Sequence, residues 1–406
     1  MLQVLQTRKR CKNSFLQTFE RREAVILQQR RDSMGAIDLR HRDMEAGKEM
    51  GVVKLHYLNN IKALLAVAVV LVHASMAYGG AGGWYYIEAS DDFISTSILT
   101  MMNAVLQSFF MGIFFFISAY FSPKSYDNKG FYVFLKDRIP KLLIPALFYY
   151  FVLNPLCMNF VQRKAYFSSL GFYNLWFVMA LLIFTLIYAL GRGINKIRLP
   201  ELDFPNAWKV LAFIILLGCF NFITRLFFRT NEMYIFDFTF GYFPQYILLF
   251  ALGVAAYRNN WLDKLDEKLA STFFKISIVS IILLPVVFLI ATPASGDVSN
   301  FYGGATLESL FYSFWEPFVG IGIILKLLVA FKRRFNFTNP FLDLASRCSY
   351  SIYIIQSLFI IALQKMLSSI DMNVLIKVVI VTTLTYGLCL AVSSILVRTP
   401  GIKKVV

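Results

Sequence analysis

Long apolar runs without charged residues recur along this chain from Leu58 onward. Ala63–Val72 and Ile276–Ile290, for example, contain no Asp, Glu, Lys or Arg. The composition agrees, since 58% of the 406 residues are hydrophobic and only 16% are charged. Soluble domains average about 45–50% apolar and about 25% charged residues. The sequence therefore predicts a membrane protein.

The apolar runs divide into about ten predicted membrane spans separated by short polar connections. No connection is long enough to form a soluble catalytic domain, so any chemistry must take place within the helix bundle. The predicted fold is an all-α, polytopic membrane domain covering residues 55–400. Its spans are 58–78, 98–121, 140–160, 173–190, 208–228, 241–257, 273–292, 308–331, 348–367 and 374–397.

The charges of the connections predict the orientation of the bundle. Connection 79–97 contains three acidic residues and no Lys or Arg, whereas connection 122–139 contains four basic residues. Alternate connections further along are also basic, which predicts that this side and both termini are cytoplasmic. The 40 basic residues lie in short clusters between spans and form no soluble basic module. This pattern argues against a nucleic-acid partner.

The two ends of the chain are polar. Residues 1–54 have no hydrophobic segment typical of a signal peptide, and we expect a flexible cytoplasmic extension there. Residues 401–406 are expected to form a short basic tail on the same side. The five cysteines show no spacing typical of metal ligands, so no metal site is predicted.

The first span carries two ionisable residues on one face. Lys62 and His73 are eleven residues apart, which places them within about 20° of each other around a helix and ~16 Å apart along it. Ionisable groups inside a span are costly and are commonly functional. The alternatives are a lysine that extends to the membrane surface and a histidine that only packs. His73 has an imidazole suited to proton transfer or nucleophilic attack, which favours a catalytic role.

Three other spans carry unusual residues at the depth predicted for His73. Glu316 lies inside the eighth span, Arg225 near the end of the fifth and Trp176 near the start of the fourth. Glu316 is a candidate catalytic residue, and Arg225 and Trp176 are candidate acceptor-site or supporting residues. The alternatives are an ion pair between helices for Glu316 and Arg225, and a place in the interfacial aromatic belt for Trp176.

A second polar group is predicted at the cytoplasmic side of the bundle. Basic and hydroxyl-bearing side chains there suit a phosphorylated donor such as an acyl-coenzyme A. The alternative is that the basic members only anchor the loops to the lipid surface. The group comprises Lys62, Ser118, Tyr120, Arg138, Lys141, Tyr350 and Tyr353.

Several segments resemble motifs of acyltransferase family 3, whose members are integral membrane acyltransferases. The family includes O-acetyltransferases of surface polysaccharides and the succinyltransferase of periplasmic glucans. Lys62-x10-His73 is similar to its Arg-x10-His motif, and 109–121 resembles its FFFxSGY segment. Residues 134–145 resemble its basic connection into the third span. Leu175-Trp176-Phe177 and Ser349-Tyr350-Ser351-Ile352-Tyr353 resemble the start of its fourth span and its SYxxY element, so the likeness covers roughly 57–398.

The chain departs from the family motifs at four positions. Asn59 stands where an acidic residue is usual, Lys62 replaces the arginine, and Ala119 replaces a glycine. Gln356 stands where a histidine is common after the SYxxY element. Lysine keeps the positive charge without the bidentate guanidinium, and glutamine can hydrogen-bond but cannot titrate. A catalytically degenerate family member is therefore one alternative reading.

The resemblance implies transfer of an acyl group, most often acetyl, from cytoplasmic acyl-CoA to a hydroxyl of a glycan or lipid-linked acceptor. Acyl-CoA would be a co-substrate, with no tightly bound cofactor, in a multi-pass protein of the cell membrane. His73 would act as general base or transient acyl carrier, and Glu316 would orient or charge-balance the histidine or the acceptor. The expected donor site contains Lys62, Arg138, Ser118 and Tyr120. The expected acceptor or supporting residues are Asn59, Trp176, Arg225, Tyr350, Tyr353 and Gln356.

A transporter is the main alternative from another functional class. In that reading His73 and Glu316 would form a proton relay. Transporters often have internal repeats, and the two halves of this sequence show no convincing repeat. This favours the enzyme.

Overall fold

A computed structural model describes residues 55–88, 90–194, 201–291, 298–402 and 405. The regular elements of these ranges are all helical, which confirms the predicted all-α fold. The predicted N-terminal extension, 1–54, and half of the predicted tail (403, 404 and 406) lie outside the described residues. The ten α-helices of the described ranges are α1 (His56–Ala77), α2 (Phe93–Phe148), α3 (Asn154–Gln162), α4 (Trp176–Ile194), α5 (Ala207–Arg225), α6 (Phe243–Arg258), α7 (Glu267–Ala291), α8 (Leu307–Arg334), α9 (Pro340–Leu367) and α10 (Val374–Leu396).

Nine stretches of the described residues are long and apolar enough to cross a membrane, and every predicted span coincides with one of them to within three residues at its end or lies inside it. The longest stretch, Phe93–Gln162, has 70 residues and contains the predicted spans 98–121 and 140–160. A straight helix of that length would measure ~105 Å, against about 30 Å for the hydrocarbon core of a bilayer. The chain is thus a multi-pass membrane protein, and this stretch must bend to fit a bilayer.

The bend in this stretch lies at Gly130. Its backbone angles, φ 71° and ψ 173°, are not helical, and a Cβ there would meet no other atom. Glycine is therefore suited to this position by its backbone freedom alone. The prediction of a loop at 122–139 is wrong, because helical residues flank Gly130 on both sides. Apolar content marks what lies in hydrocarbon, whereas a helix can continue into the polar surface layer.

Helix α2 lies at the centre of the bundle and packs against α1, α4, α6 and α8. Glycines allow two of these contacts to be close. A Cβ on Gly253 of α6 would collide with the carbonyl of Phe116, and one on Gly320 of α8 with the carbonyl of Ser108. Small residues at such contacts let helix backbones approach each other inside a membrane.

The other helices pack around this centre. α9 lies against both α1 and α10, and α8 contacts α5 and α7. α7 has few buried residues, and side chains such as Leu289 and Ile290 are about three-quarters exposed (75% and 74%). Such a helix faces the hydrocarbon of the bilayer, which is an apolar solvent for it.

Candidate active site

A cavity of about 380 Å³ lies beside His73 at one end of the bundle. Residues of α1, α2, α4, α7, α8 and α9 line it, together with residues 81–83 and the segments before α4, α6 and α8. Its described lining includes five tyrosines, Trp176, four carboxamide side chains and three threonines, but no Asp, Glu, Lys or Arg. His73 thus carries the imidazole in a cavity wall that is otherwise aromatic and uncharged.

His73 is half-buried in α1, and its ring stacks on Trp84 with the ring centroids 5.2 Å apart and the planes at 27°. Its Nδ1 atom is buried and forms no well-made hydrogen bond in the described part of the chain. His73 lines the cavity, and Nε2 is the ring nitrogen that remains open to it. One side of the imidazole is therefore fixed by packing and the other is available to a ligand.

Trp84 belongs to the first loop (78–88), which side chains of several helices hold in place. Gln364 donates to the carbonyls of Ala77 (2.7 Å) and Tyr86 (3.0 Å). Gln162 and Asn103 donate to two further carbonyls in the loop. An irregular segment at membrane depth needs such partners, because no water is present to replace them.

An ion pair closes the end of the first loop. Nζ of Lys377, at the start of α10, lies 2.6 Å from Oε1 of Glu88. Lys377 is buried, with 5% of its surface exposed. The loop that supports His73 is therefore tied to the last helix of the bundle.

A buried hydrogen-bond network lies behind the cavity wall. The hydroxyl of Tyr85 is 2.7 Å from that of Tyr149 and donates to the Asn154 side chain at 2.7 Å. Ser357 lies between Tyr149 (3.3 Å) and the side-chain amide of Asn174 (3.0 Å), which lines the cavity. These bonds connect the first loop, the π-helical turn after α2, the start of α4 and α9.

Glu316 and Arg225 form an ion pair, and both side chains are fully buried. Arg225 also donates to the carbonyl of Gly241 at 3.1 Å and to the hydroxyl of Ser313 at 3.2 Å. No hydrogen bond or ion pair joins Glu316 to His73 in the described residues. Depth along the membrane was the reason to pair them, but the rotation of α8 directs Glu316 toward α5.

The pair acts on the cavity through two tyrosines. The guanidinium carbon of Arg225 lies 5.3 Å from the ring centroid of Tyr242 and 5.2 Å from that of Tyr312. Both tyrosines line the cavity, whereas Arg225 and Glu316 do not. The buried charges therefore support the cavity wall from behind.

Trp176 and Tyr353 both line the cavity, so Tyr353 does not lie in the group around Lys62 as the sequence predicted. Trp176 stacks on Tyr246 at 5.4 Å, and the Tyr353 hydroxyl donates to the carbonyl of Asn174. Gln356 is fully buried one helical turn further along α9. Tyr350 lies apart from the cavity, and its hydroxyl donates to the carbonyl of Lys141 at 3.0 Å.

The predicted donor residues meet at the other end of α1. Nζ of Lys62 lies 4.9 Å from the ring centroid of Phe121, and the positive charge of Arg138 acts on it. Neither cation forms an ion pair among the described residues, and Asp137 is paired with Lys129 instead. Two neighbouring cations that are not engaged in ion pairs form a suitable site for an anion.

The remaining predicted residues lie at this same end of α1. Ser118 is half-buried on α2, and the Tyr120 ring packs against Tyr257 with the centroids 5.5 Å apart. Asn59 is exposed and lies more than three turns of α1 from His73, so the structure does not bring it to the cavity. The next residue, Asn60, is buried and donates to two carbonyls after α8, at 2.7 and 2.9 Å.

Sequence reasoning missed Trp84, Tyr85, Asn154 and Asn174. Asn154 sits inside a predicted span, and a polar residue there was a usable indication. The other three lie in or beside connections, where hydropathy carries no information. No group of three or more His, Cys, Asp or Glu side chains in the described ranges is placed to hold a metal ion.

Comparison with known families decides the class of the protein. The family model described as "Acyltransferase domain", of acyltransferase family 3, matches residues 55–398. The chain belongs to this family. Searches of curated proteins and of solved structures gave no significant match. The family membership and the apolar helices together make the chain a membrane acyltransferase.

Proposed function

We propose that this acyltransferase moves an acyl group, most often acetyl, from cytoplasmic acyl-CoA to a hydroxyl of a glycan or lipid-linked acceptor. The enzyme would reside in the cell membrane, with the Lys62 end of α1 toward the cytoplasm. The observation that carries the proposal is the arrangement of α1. This helix presents an unpaired cation at one end and, ~16 Å further along, a histidine that faces a neutral aromatic cavity.

The Lys62 end suits the donor because coenzyme A carries several phosphate charges. Neither Lys62 nor Arg138 forms an ion pair among the described residues, so a phosphate group would reduce the repulsion between these like charges. The long arm of coenzyme A would then carry its thioester along α1 toward His73. Ser118 and Tyr120 would add hydroxyl groups at the same end.

The cavity suits an uncharged, hydroxyl-bearing acceptor. Aromatic rings can pack on the apolar faces of sugar rings, and carboxamide and hydroxyl side chains can bond their hydroxyl groups. Trp176 and Tyr353 supply an aromatic surface beside His73, and Asn174 supplies a carboxamide. An anionic acceptor would find no cation in the described lining. Polysaccharide O-acetylation is therefore the reaction we favour.

In the proposed direct reaction, Nε2 of His73 accepts the proton of the acceptor hydroxyl as its oxygen attacks the thioester carbon. The new C–O bond forms the ester, the C–S bond breaks, and the coenzyme A sulfur leaves as a thiolate that takes up the proton. In the alternative route, Nε2 attacks the thioester carbon first, the C–S bond breaks, and coenzyme A leaves as a thiolate. The acceptor oxygen then attacks the acyl carbon, the C–N bond to His73 breaks, and the hydroxyl proton passes to the thiolate. The two routes need the same histidine and the same two substrate positions.

Glu316 enters this scheme through Arg225. We propose that the pair orients Tyr242 and Tyr312, and through them the acceptor, while Trp176 and Tyr353 form the facing wall. Gln356 would support the histidine, and Tyr350 would join α9 to α2 near the donor site. Asn59 would act at the donor end.

The test compares His73→Gln with His56→Gln, a matched control at the start of the same helix. Cells lacking the gene would express each variant, and transfer from labelled acetyl-CoA into envelope glycans and lipids would be followed by mass spectrometry. His73→Gln should lower transfer by about 10²-fold or more at unchanged protein level and thermal stability. His56→Gln should transfer normally. A stable His73→Gln variant with near-normal transfer would overturn the proposal, and joint loss of stability and transfer would identify a packing role.

A further inference from the structure

A histidine that serves as base or nucleophile must present an unprotonated nitrogen to its substrate. A neutral imidazole has two tautomers, and the hydrogen bond made by one nitrogen selects the state of the other. In this structure Nε2 faces the cavity, so catalysis requires the proton to lie on Nδ1. Nδ1 is buried and needs a buried acceptor, since an unsatisfied N–H there is costly.

Gln356 is the side chain placed to supply that acceptor. It is fully buried on α9, the helix that packs along α1, and its amide interacts with His73. Its Nε2 donates to the carbonyl of Tyr353 at 3.4 Å, which directs Oε1 away from that carbonyl. Oε1 of Gln356 and Nδ1 of His73 are both buried atoms without a well-formed hydrogen bond. One bond from Nδ1–H to Oε1 would satisfy both.

We infer that Gln356 is a positioning residue that holds His73 in the tautomer with Nε2 unprotonated toward the cavity. The inference rests on the proposed role of His73 in acyl transfer. Trp84 supports the same ring through its face, but an indole offers no acceptor for Nδ1–H. An uncharged amide oxygen fixes the tautomer without adding a negative charge that would favour the imidazolium. The ring therefore stays neutral and ready to accept a proton or an acyl group.

The test uses two variants of nearly equal size. Gln356→Met removes the acceptor, and Gln356→Glu keeps one. The chain has three histidines, so ¹⁵N-histidine spectra of the full protein in lipid nanodiscs can be assigned with His73→Gln and His56→Gln. Wild type and Gln356→Glu should show protonated Nδ1 at His73. Gln356→Met should show a mixture of tautomers, with kcat lowered about 10-fold or more and KM for acetyl-CoA unchanged.

The two readouts separate this inference from the proposed function. Unchanged His73 tautomers in Gln356→Met would overturn the positioning role, even if transfer falls. Changed tautomers with normal transfer would support positioning and overturn the role of His73 in the reaction. If Gln356→Met does not fold, Gln356→Glu decides, and an unprotonated Nδ1 in that variant would overturn the inference.

Discussion

Replacing Glu316 by glutamine, a substitution of equal shape that removes one charge, should strongly destabilise the membrane domain. The substitution keeps the shape of the side chain but removes the negative charge that matches Arg225. Both side chains have no exposed surface, so neither water nor lipid headgroups can compensate for the loss. An unmatched buried cation would remain between α5 and α8.

The magnitude follows from what Arg225 retains. Removing one partner of a buried ion pair typically costs about 3–5 kcal/mol. Arg225 would keep its bonds to the carbonyl of Gly241 and the hydroxyl of Ser313, and its contacts with two tyrosine rings. We therefore expect the lower end of that range, about 3 kcal/mol. Replacing both charges, in Arg225→Met with Glu316→Leu, should leave stability close to that of wild type, because no lone charge remains.

Thermal unfolding of the purified variants in one detergent or nanodisc preparation would measure the effect. Glu316→Gln should lower Tm by several degrees, and the double variant should recover most of that loss. Acyl transfer by Glu316→Gln should fall less than in His73→Gln, since Glu316 does not reach the cavity. A Tm equal to that of wild type, or a double variant less stable than Glu316→Gln, would refute the reasoning.

Three further predictions concern topology, donor binding and packing. A cysteine placed at Ser90 should react with an impermeant thiol reagent added outside intact cells, whereas one at Ser125 should not. The reverse labelling would show that the predicted orientation of the bundle is wrong. Lys62→Ala should raise KM for acetyl-CoA while Lys62→Arg keeps or improves donor use, and equal donor titrations for wild type and Lys62→Ala would remove this residue from the site. Gly320→Ala should lower the free energy of unfolding by about 1–3 kcal/mol, because the added methyl group overpacks the contact between α8 and α2, and thermal unfolding would measure this loss. Gly387→Ala, which meets no neighbouring atom, should leave Tm nearly unchanged, and equal Tm values for the two glycine variants would contradict the packing argument.

The apolar runs predicted the fold well, because a bilayer imposes a minimum length and polarity on each span. The positions at which the helices begin and end were harder to predict from the sequence. The segment around Gly130 was predicted as a loop, since its lysines and aspartates lower the hydropathy of residues that remain helical. The departure from helical geometry is confined to one glycine among the 22 of this sequence, and nothing in the sequence distinguishes it from the others.

The sequence predicted the depth of the site residues along their helices, but not the direction in which their side chains point around the helix axes. Charge and depth singled out His73, Arg225 and Glu316, yet depth cannot tell which helix a side chain faces. A difference of one residue rotates a side chain by about 100°, which is why Asn60 is buried and Asn59 is exposed. Trp84 was beyond prediction, because its place against His73 depends on loop contacts with residues far away in sequence.

The anchoring of the first loop has a practical consequence for engineering this protein. Surface loops usually accept epitope tags and inserted domains, and a short, acidic connection would be a natural choice for them. Here any inserted residue would separate carbonyls from the side chains of Gln162 and Gln364, and would displace the indole beneath His73. Residues 163–168 are exposed, and their side chains are free of such long-range anchoring apart from one bond from Tyr166. A reporter inserted there should mark the same face of the membrane and leave His73 in place.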